Sequence, residues 1–176
     1  MNKTQQKIAA GLETAFAQQG FTEMGVDGLR DAAQVSLRTL YKYCSSKEEM
    51  ILLALEHRHN RYLSFLFSNL QAERGNVTAA MFERVGEWML ENNSQGCLFH
   101  DAVLSHPGSH RIKAMYEKHK GELADRMEQV SELTGKAEQL LLIHEGIVQS
   151  WPILRHRGVE SARLLLHGIT EANKAG

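Results

Sequence analysis

Along the chain, apolar residues return every three or four positions rather than every second one, the spacing that gathers them on one face of a helix. Ile8, Leu12, Ala15, Phe16 and Gln19, followed by Gly20, predict a first helix from about Thr4 to Gly20, with Thr4 as its N-cap. Val26, Leu29, Ala32 and Ala33 mark a short second helix starting at Thr22 or Gly25. Ser36 can cap a third that carries Leu37, Leu40, Tyr41 and Tyr43. Ser46-Lys47-Glu48-Glu49 has the Ser-x-x-Glu form of a capping box, so a fourth helix starts at Lys47 and runs to near Gln71.

Three later breaks, Arg74-Gly75-Asn76, Asn92 to Gly96 and His106-Pro107-Gly108-Ser109, divide the remainder of the chain. They leave a fifth helix over about 77 to 92, a short sixth, and a seventh from a Ser109 cap to about Thr134. The last two run from about Lys136 to His156 and from Glu160 to Lys174. Two prolines in 176 residues fit long helices better than short strands joined by turns, so the expected class is all-α. No repeat and no low-complexity linker interrupts the pattern, and a continuous helix is expected to join the N-terminal part to the rest.

A formal net charge of −1 gives no bulk attraction to nucleic acid, although residues 1 to 47 carry +2 and the remainder −3. Cys44 and Cys97 are too few and too far apart for a disulfide framework, which points to a reducing compartment. With no apolar run near the ~20 residues that span a bilayer and no signal-peptide pattern at the start, the expected location is cytoplasmic, without membrane contact. No Gly-rich phosphate loop, nucleophile elbow or zincin signature appears, so an enzyme is not expected, nor a cofactor.

The informative segment is GFTEMGVDGLRDAAQVSLRTLYKYCSSKEEM, Gly20 to Met50. Two short helices around the turn Ala33-Gln34-Val35 have the form of a helix-turn-helix, whose second helix presents its N-terminal residues to the DNA major groove. Residues 8 to 50 resemble the TetR family of transcriptional regulators. The likeness rests on Gly20-Phe21, Val26, Leu29, Ala33, Val35-Ser36, Thr39-Leu40-Tyr41-Lys42-Tyr43 and Ser46-Lys47-Glu48. It implies a nine-helix architecture, with residues 1–47 as the DNA-binding domain and 48–176 as a ligand-sensing and dimerisation domain. It also assigns Thr39, Tyr41, Tyr43 and Lys47 to the DNA face, where the Tyr hydroxyls and the Lys ammonium suit phosphate oxygens, and Ser36 and Lys42 complete the residues expected at DNA. Leu37 and Arg38, in the first turn of the recognition helix, are the candidates for base readout. The chain departs from the family pattern at Met24, Gln34, Arg38 and Cys44. Out of this context, Tyr41 and Tyr43 would be ordinary packing aromatics and Arg38 and Lys47 solvated charges.

Among nine histidines, His57 with His59, His106 with His110, and Cys97 with His100 show no complete metal-ligand spacing, and no metal is expected. His119 and His144 each interrupt an apolar stripe. They read either as hydrogen-bonded core histidines or as polar contacts in an effector site lined by Trp88, Phe99, Met115 and Trp151. The apolar stripes of the last two helices are wider than one core face needs, so a homodimer through them is expected. The resulting expectation is a ligand-responsive regulator, a repressor, which binds palindromic double-stranded DNA and is released by a small molecule. A helical adaptor acting by protein contact alone is the alternative.

Overall fold

The computed structural model describes residues 1–70, 77–92 and 96–174, which form nine α-helices and no strand. These are α1 (Lys3–Gln19), α2 (Val26–Ala33), α3 (Leu37–Tyr43), α4 (Lys47–Phe67), α5 (Val77–Glu91), α6 (Leu98–Ser105), α7 (His110–Ser131), α8 (Ala137–Leu154) and α9 (His156–Lys174). The expected helix end at Gln71, the break Arg74-Gly75-Asn76 and residues Asn93 to Gln95 of the second break lie outside the described residues.

Local chemistry sets the boundaries. Asn2, not Thr4, caps α1: its Oδ1 accepts the Gln5 backbone N–H at 2.9 Å, which places Thr4 inside the first turn. Gly25 precedes α2 without any side-chain cap. Ser36 caps α3, its Oγ accepting from the Thr39 N–H at 3.1 Å, and Ser109 caps α7 in the same way through the Ile112 N–H. At α4 the Ser46 Oγ accepts from the Glu49 N–H at 3.2 Å. The return arm of this box reaches one residue further back than the usual pattern, because the Glu49 carboxylate accepts both the N–H and the hydroxyl of Ser45 at 2.8 Å.

The seventh helix stops at Ser131, short of Thr134, where Glu132 (φ 58°) and Gly135 (φ 74°) reverse the chain. The Glu128 carboxylate closes that turn by accepting the N–H groups of Gly135 and Ala137 at 3.0 Å. Pro152 removes a donor from the last turns of α8, and Arg155 (φ 51°) then separates α8 from α9, which starts four residues before the expected Glu160.

The helices group into two compact units, one of residues 1–61 with 98–117, the other of residues 62–97 with 118 onward. In the first, Ile8, Leu12 and Phe16 of α1 are buried with Leu29, Leu40, Met50, Ile51 and Leu55, and Phe16 stacks on Phe21 at 4.8 Å. Gly11 allows α1 to lie directly on the end of α2, since a Cβ there would sit 2.3 Å from the Ala32 carbonyl oxygen. In the second, α5 packs on α8 and α9 around Phe82, Val85, Ile147, Trp151 and Val159.

Candidate functional site

In the first unit, α3 is anchored by a single fully buried side chain, Leu40, and turns the rest of its surface outward. Leu37 is 39% and Tyr41 44% exposed, and Arg38 and Lys42 are exposed beside them. The first turn of α3 thus presents a cation, Arg38, on an open helix face of the size that a DNA major groove admits. The cap residue Ser36 shares its hydroxyl with that of Thr39 at 2.8 Å, so both are tied into the helix start. Tyr43 is half-buried and its hydroxyl accepts from the Asn2 amide at 3.4 Å, while the Lys42 ammonium lies 6.0 Å from the Tyr43 ring centre. Lys47 is half-buried and donates to the Thr22 carbonyl at 3.5 Å. The eight residues expected at DNA thus divide into an exposed row, Leu37, Arg38, Tyr41 and Lys42, and a set engaged with neighbouring groups, Ser36, Thr39, Tyr43 and Lys47.

The turn ahead of α3 is tight. Gln34 adopts the left-handed conformation (φ 52°, ψ 48°), and its N–H bonds back to the carbonyls of Arg30 and Asp31. Cys44, just after α3, is buried, and burial pushes its thiol up to about 11. It therefore packs as a small apolar group.

Also in the first unit, the buried Glu13 carboxylate gathers three donors from α4: His57 Nδ1 at 2.6 Å, Arg58 at 3.2 Å and Arg61 at 2.6 Å. His59 lies edge-on to Phe99, and His106 edge-on to Phe21. Among the described residues no group of three or more His, Cys, Asp or Glu side chains is placed to hold a metal ion.

The six side chains expected at an effector fall in both units. Phe99 and Met115 belong to the first; Trp88, His119, His144 and Trp151 belong to the second. His119 is 3% exposed, and Trp151 is fully buried, 5.4 Å from the His156 ring. Trp88 and His144 meet around Tyr62, whose ring lies 5.1 Å from that of Trp88 and 5.7 Å from that of His144.

His144 Nε2 lies 2.6 Å from the Tyr62 hydroxyl, its Nδ1 lies 2.8 Å from Glu145 Oε1, and the Lys120 ammonium reaches the same oxygen at 2.6 Å. Burial alone would raise the Glu145 carboxyl, but the His144 hydrogen bond and the Lys120 charge outweigh it and hold the group at about 2. Burial keeps His144 below its ordinary value, against the pull of Glu145 and with the help of the Lys120 charge. A neutral imidazole next to a carboxylate donates through Nδ1, so its Nε2 accepts the Tyr62 proton. Both ring nitrogens of His144 are spent inside the protein, and Tyr62 sets its hydroxyl against His144 and its ring against Trp88. Sequence patterning singles out His144 but not Tyr62, Lys120 or Glu145. Tyr62 continues the α4 stripe Leu55, His59 and Leu66, the periodic signal that could have found it.

The family described as "Bacterial regulatory proteins, tetR family" matches residues 8–54, from the first core residue of α1 into α4. Among solved structures, the chain is similar to SCO4454, a TetR-family transcriptional regulator from Streptomyces coelicolor. That match has a TM-score of 0.78 at 17% identity and covers 99% of this chain and 90% of the other. It is also similar to E. coli NemR in its reduced form, with a TM-score of 0.73 at 24% identity over 93% of this chain and 95% of the other. No curated protein matches the sequence. Likeness at these identities speaks to the fold alone, and the match over residues 8–54 makes that segment, with its helix-turn-helix, similar to bacterial regulatory proteins of the tetR family.

Proposed function

We propose that the chain is a ligand-responsive repressor that binds a palindromic operator as a homodimer formed through α8 and α9 and leaves it when a small molecule binds. The observation that carries this reading is the exposed apolar surface of those helices. Leu142 is 74%, Leu164 78% and Leu165 61% exposed, beside a groove of about 520 Å³ lined by Ile147, Ala162, Leu165 and Ile169 among others. A patch of this kind on a globular chain calls for a cover, and a second copy supplies a matching one. Two α3 helices one DNA turn apart, ~34 to 36 Å, would then meet two half-sites.

Residues 1–47 serve DNA in this reading, and 48–176 serve sensing and dimerisation. The effector is apolar or aromatic and is taken up by the second unit near Trp88, His119, His144 and Trp151, with Tyr62, oriented by His144, as a polar contact. Its binding lowers operator affinity through a coupling of ~1 to 3 kcal/mol, the usual range between two sites. The test is selection of bound sequences from a random duplex pool, with sedimentation of the free protein. A two-fold symmetric motif and a dimer are expected; an asymmetric motif bound by a monomer would overturn the reading. Compounds that raise the melting temperature are then tested for release of the selected duplex.

A further inference from the structure

We propose that Lys7 is a positioning residue for DNA recognition, holding the turn that aims α3 rather than neutralising a phosphate. The turn rests on Gln34, whose positive φ is a conformation that side chains other than glycine adopt at a cost. Its N–H is satisfied by the end of α2, and the next N–H, that of Val35, reaches the Arg30 carbonyl only at 3.4 Å. The Gln34 carbonyl points out of the turn and accepts from the Lys7 ammonium at 3.2 Å. That carbonyl belongs to the peptide joining Gln34 to Val35, one residue before the Ser36 cap. Fixing it fixes the direction in which the chain enters α3.

Lys7 is held at this point by its own helix. Gly11 lies one turn further along the same face of α1, and its missing side chain lets α1 sit against Ala32 and Ala33 at the close of α2. An ammonium at the carbonyl end of α2 also has the favourable sign for the helix dipole. Asn2 at the start of α1 reaches the Tyr43 hydroxyl at the far end of α3. The first helix thus touches both the turn before α3 and the last residue within it, and Lys7 makes the charged contact.

A positioning role and a phosphate role predict different losses. The test uses the full chain, its Lys7→Met and Lys7→Arg variants, and two probes: a duplex selected from a random pool by the unchanged protein, and a mixed-sequence duplex. Binding to each is measured across a salt series. Lys7→Met is expected to lose roughly three- to tenfold in affinity for the selected duplex, the scale of one ordinary hydrogen bond lost at an exposed site. Its mixed-sequence binding and salt slope should stay unchanged, and Lys7→Arg, which keeps a donor, should keep the preference. An equal loss on both duplexes, with a salt slope smaller by about one, would make Lys7 a phosphate contact and overturn the proposal. Undiminished preference in Lys7→Met would overturn it as well, returning Lys7 to a solvated charge.

Discussion

The Tyr62 hydroxyl and His144 Nε2 meet at 2.6 Å, joining α4 to α8 inside the second unit. His144 is 2% exposed, so water cannot replace this bond without opening the packing. Tyr62→Phe keeps the ring against Trp88 but leaves the buried nitrogen without its hydroxyl. A loss of about 1 to 3 kcal/mol is expected, the penalty for stranding a buried polar atom. Urea unfolding of the two proteins at neutral pH measures it, and an unchanged midpoint would show that the bond is energetically idle.

The same cluster sets a pH dependence. His144 sits below its ordinary value of 6.5, so the unfolded chain binds this proton more readily than the folded one, and stability falls as pH drops below 6.5. Glu145 is held at about 2 against an ordinary 4.5, so its contribution is full above 4.5 and is lost as pH falls toward 2. The two signs agree. Unfolding midpoints across a pH series should decline in two stages on acidification, and Glu145→Gln should flatten the lower stage. A midpoint that rises on acidification would contradict both shifts.

How much of this was visible in the chain differs from element to element. The second and third helices could be placed from Ser36 and the turn Ala33-Gln34-Val35, because caps and turns are chosen by neighbours in sequence. Thr4 was expected to cap α1, yet Asn2 does so, since two acceptable caps two residues apart are not distinguished by periodicity. The wide stripe of α9 signals more apolar surface than the unit buries, and Leu164 and Leu165 are left outside, whereas the exposed Leu142 of α8 lies off the periodic positions. Long-range partners were less legible. Nothing in spacing says that Glu13 would collect His57, Arg58 and Arg61, or that Lys120 and Glu145 would complete a chain begun at Tyr62. The six apolar and histidine positions expected at an effector fall in both units, Phe99 and Met115 in the first and the other four in the second.

Gly11→Ala is a severe test of how α1 seats the helix-turn-helix. The added methyl would meet the backbone of Ala32 at 2.3 Å, and backbone cannot swing aside as a side-chain tip can. Alanine's better helix propensity, ~1 kcal/mol over glycine, opposes this, but overpacking against fixed backbone costs about 1 to 3 kcal/mol or more. Net destabilisation is expected, together with weaker DNA binding as α1 lifts from α2. Thermal melting and duplex titration report the two effects, and a stabilised variant would mean that the approach is looser than it looks.

In the proposed reading, the exposed row on α3 would make two kinds of DNA contact. Arg38→Ala should relax the preference at one base pair in each half-site, because Arg discriminates guanine by ~1 to 3 kcal/mol through paired hydrogen bonds. Tyr41→Phe should weaken binding to every duplex alike, because a phosphate contact positions without reading. Repeating the duplex selection with each variant checks this. A motif unchanged by Arg38→Ala would return that side chain to solvent, and a Tyr41→Phe loss confined to one sequence would make the tyrosine a reader.

Leu165→Glu tests whether the outer face of α8 and α9 is an interface. The residue is 61% exposed in the single chain, so a carboxylate there can stay in water, and the fold of an isolated subunit should tolerate it. In a dimer built on this face the same carboxylate would be forced into the groove beside Ile147, Ala162 and Ile169, where no cation among the described residues lines the wall. Burying an unpaired charge costs several kcal/mol in practice, enough to dissociate a dimer of ordinary affinity. The expected outcome is a folded monomer by sedimentation and circular dichroism, with operator affinity lost because the two recognition helices are no longer held together. Leu142→Glu, 74% exposed on the neighbouring helix, should behave alike. If both variants remain dimers that bind the operator as before, the contact lies on another surface, while the proposal of DNA binding, which rests on residues 8–54, is untouched.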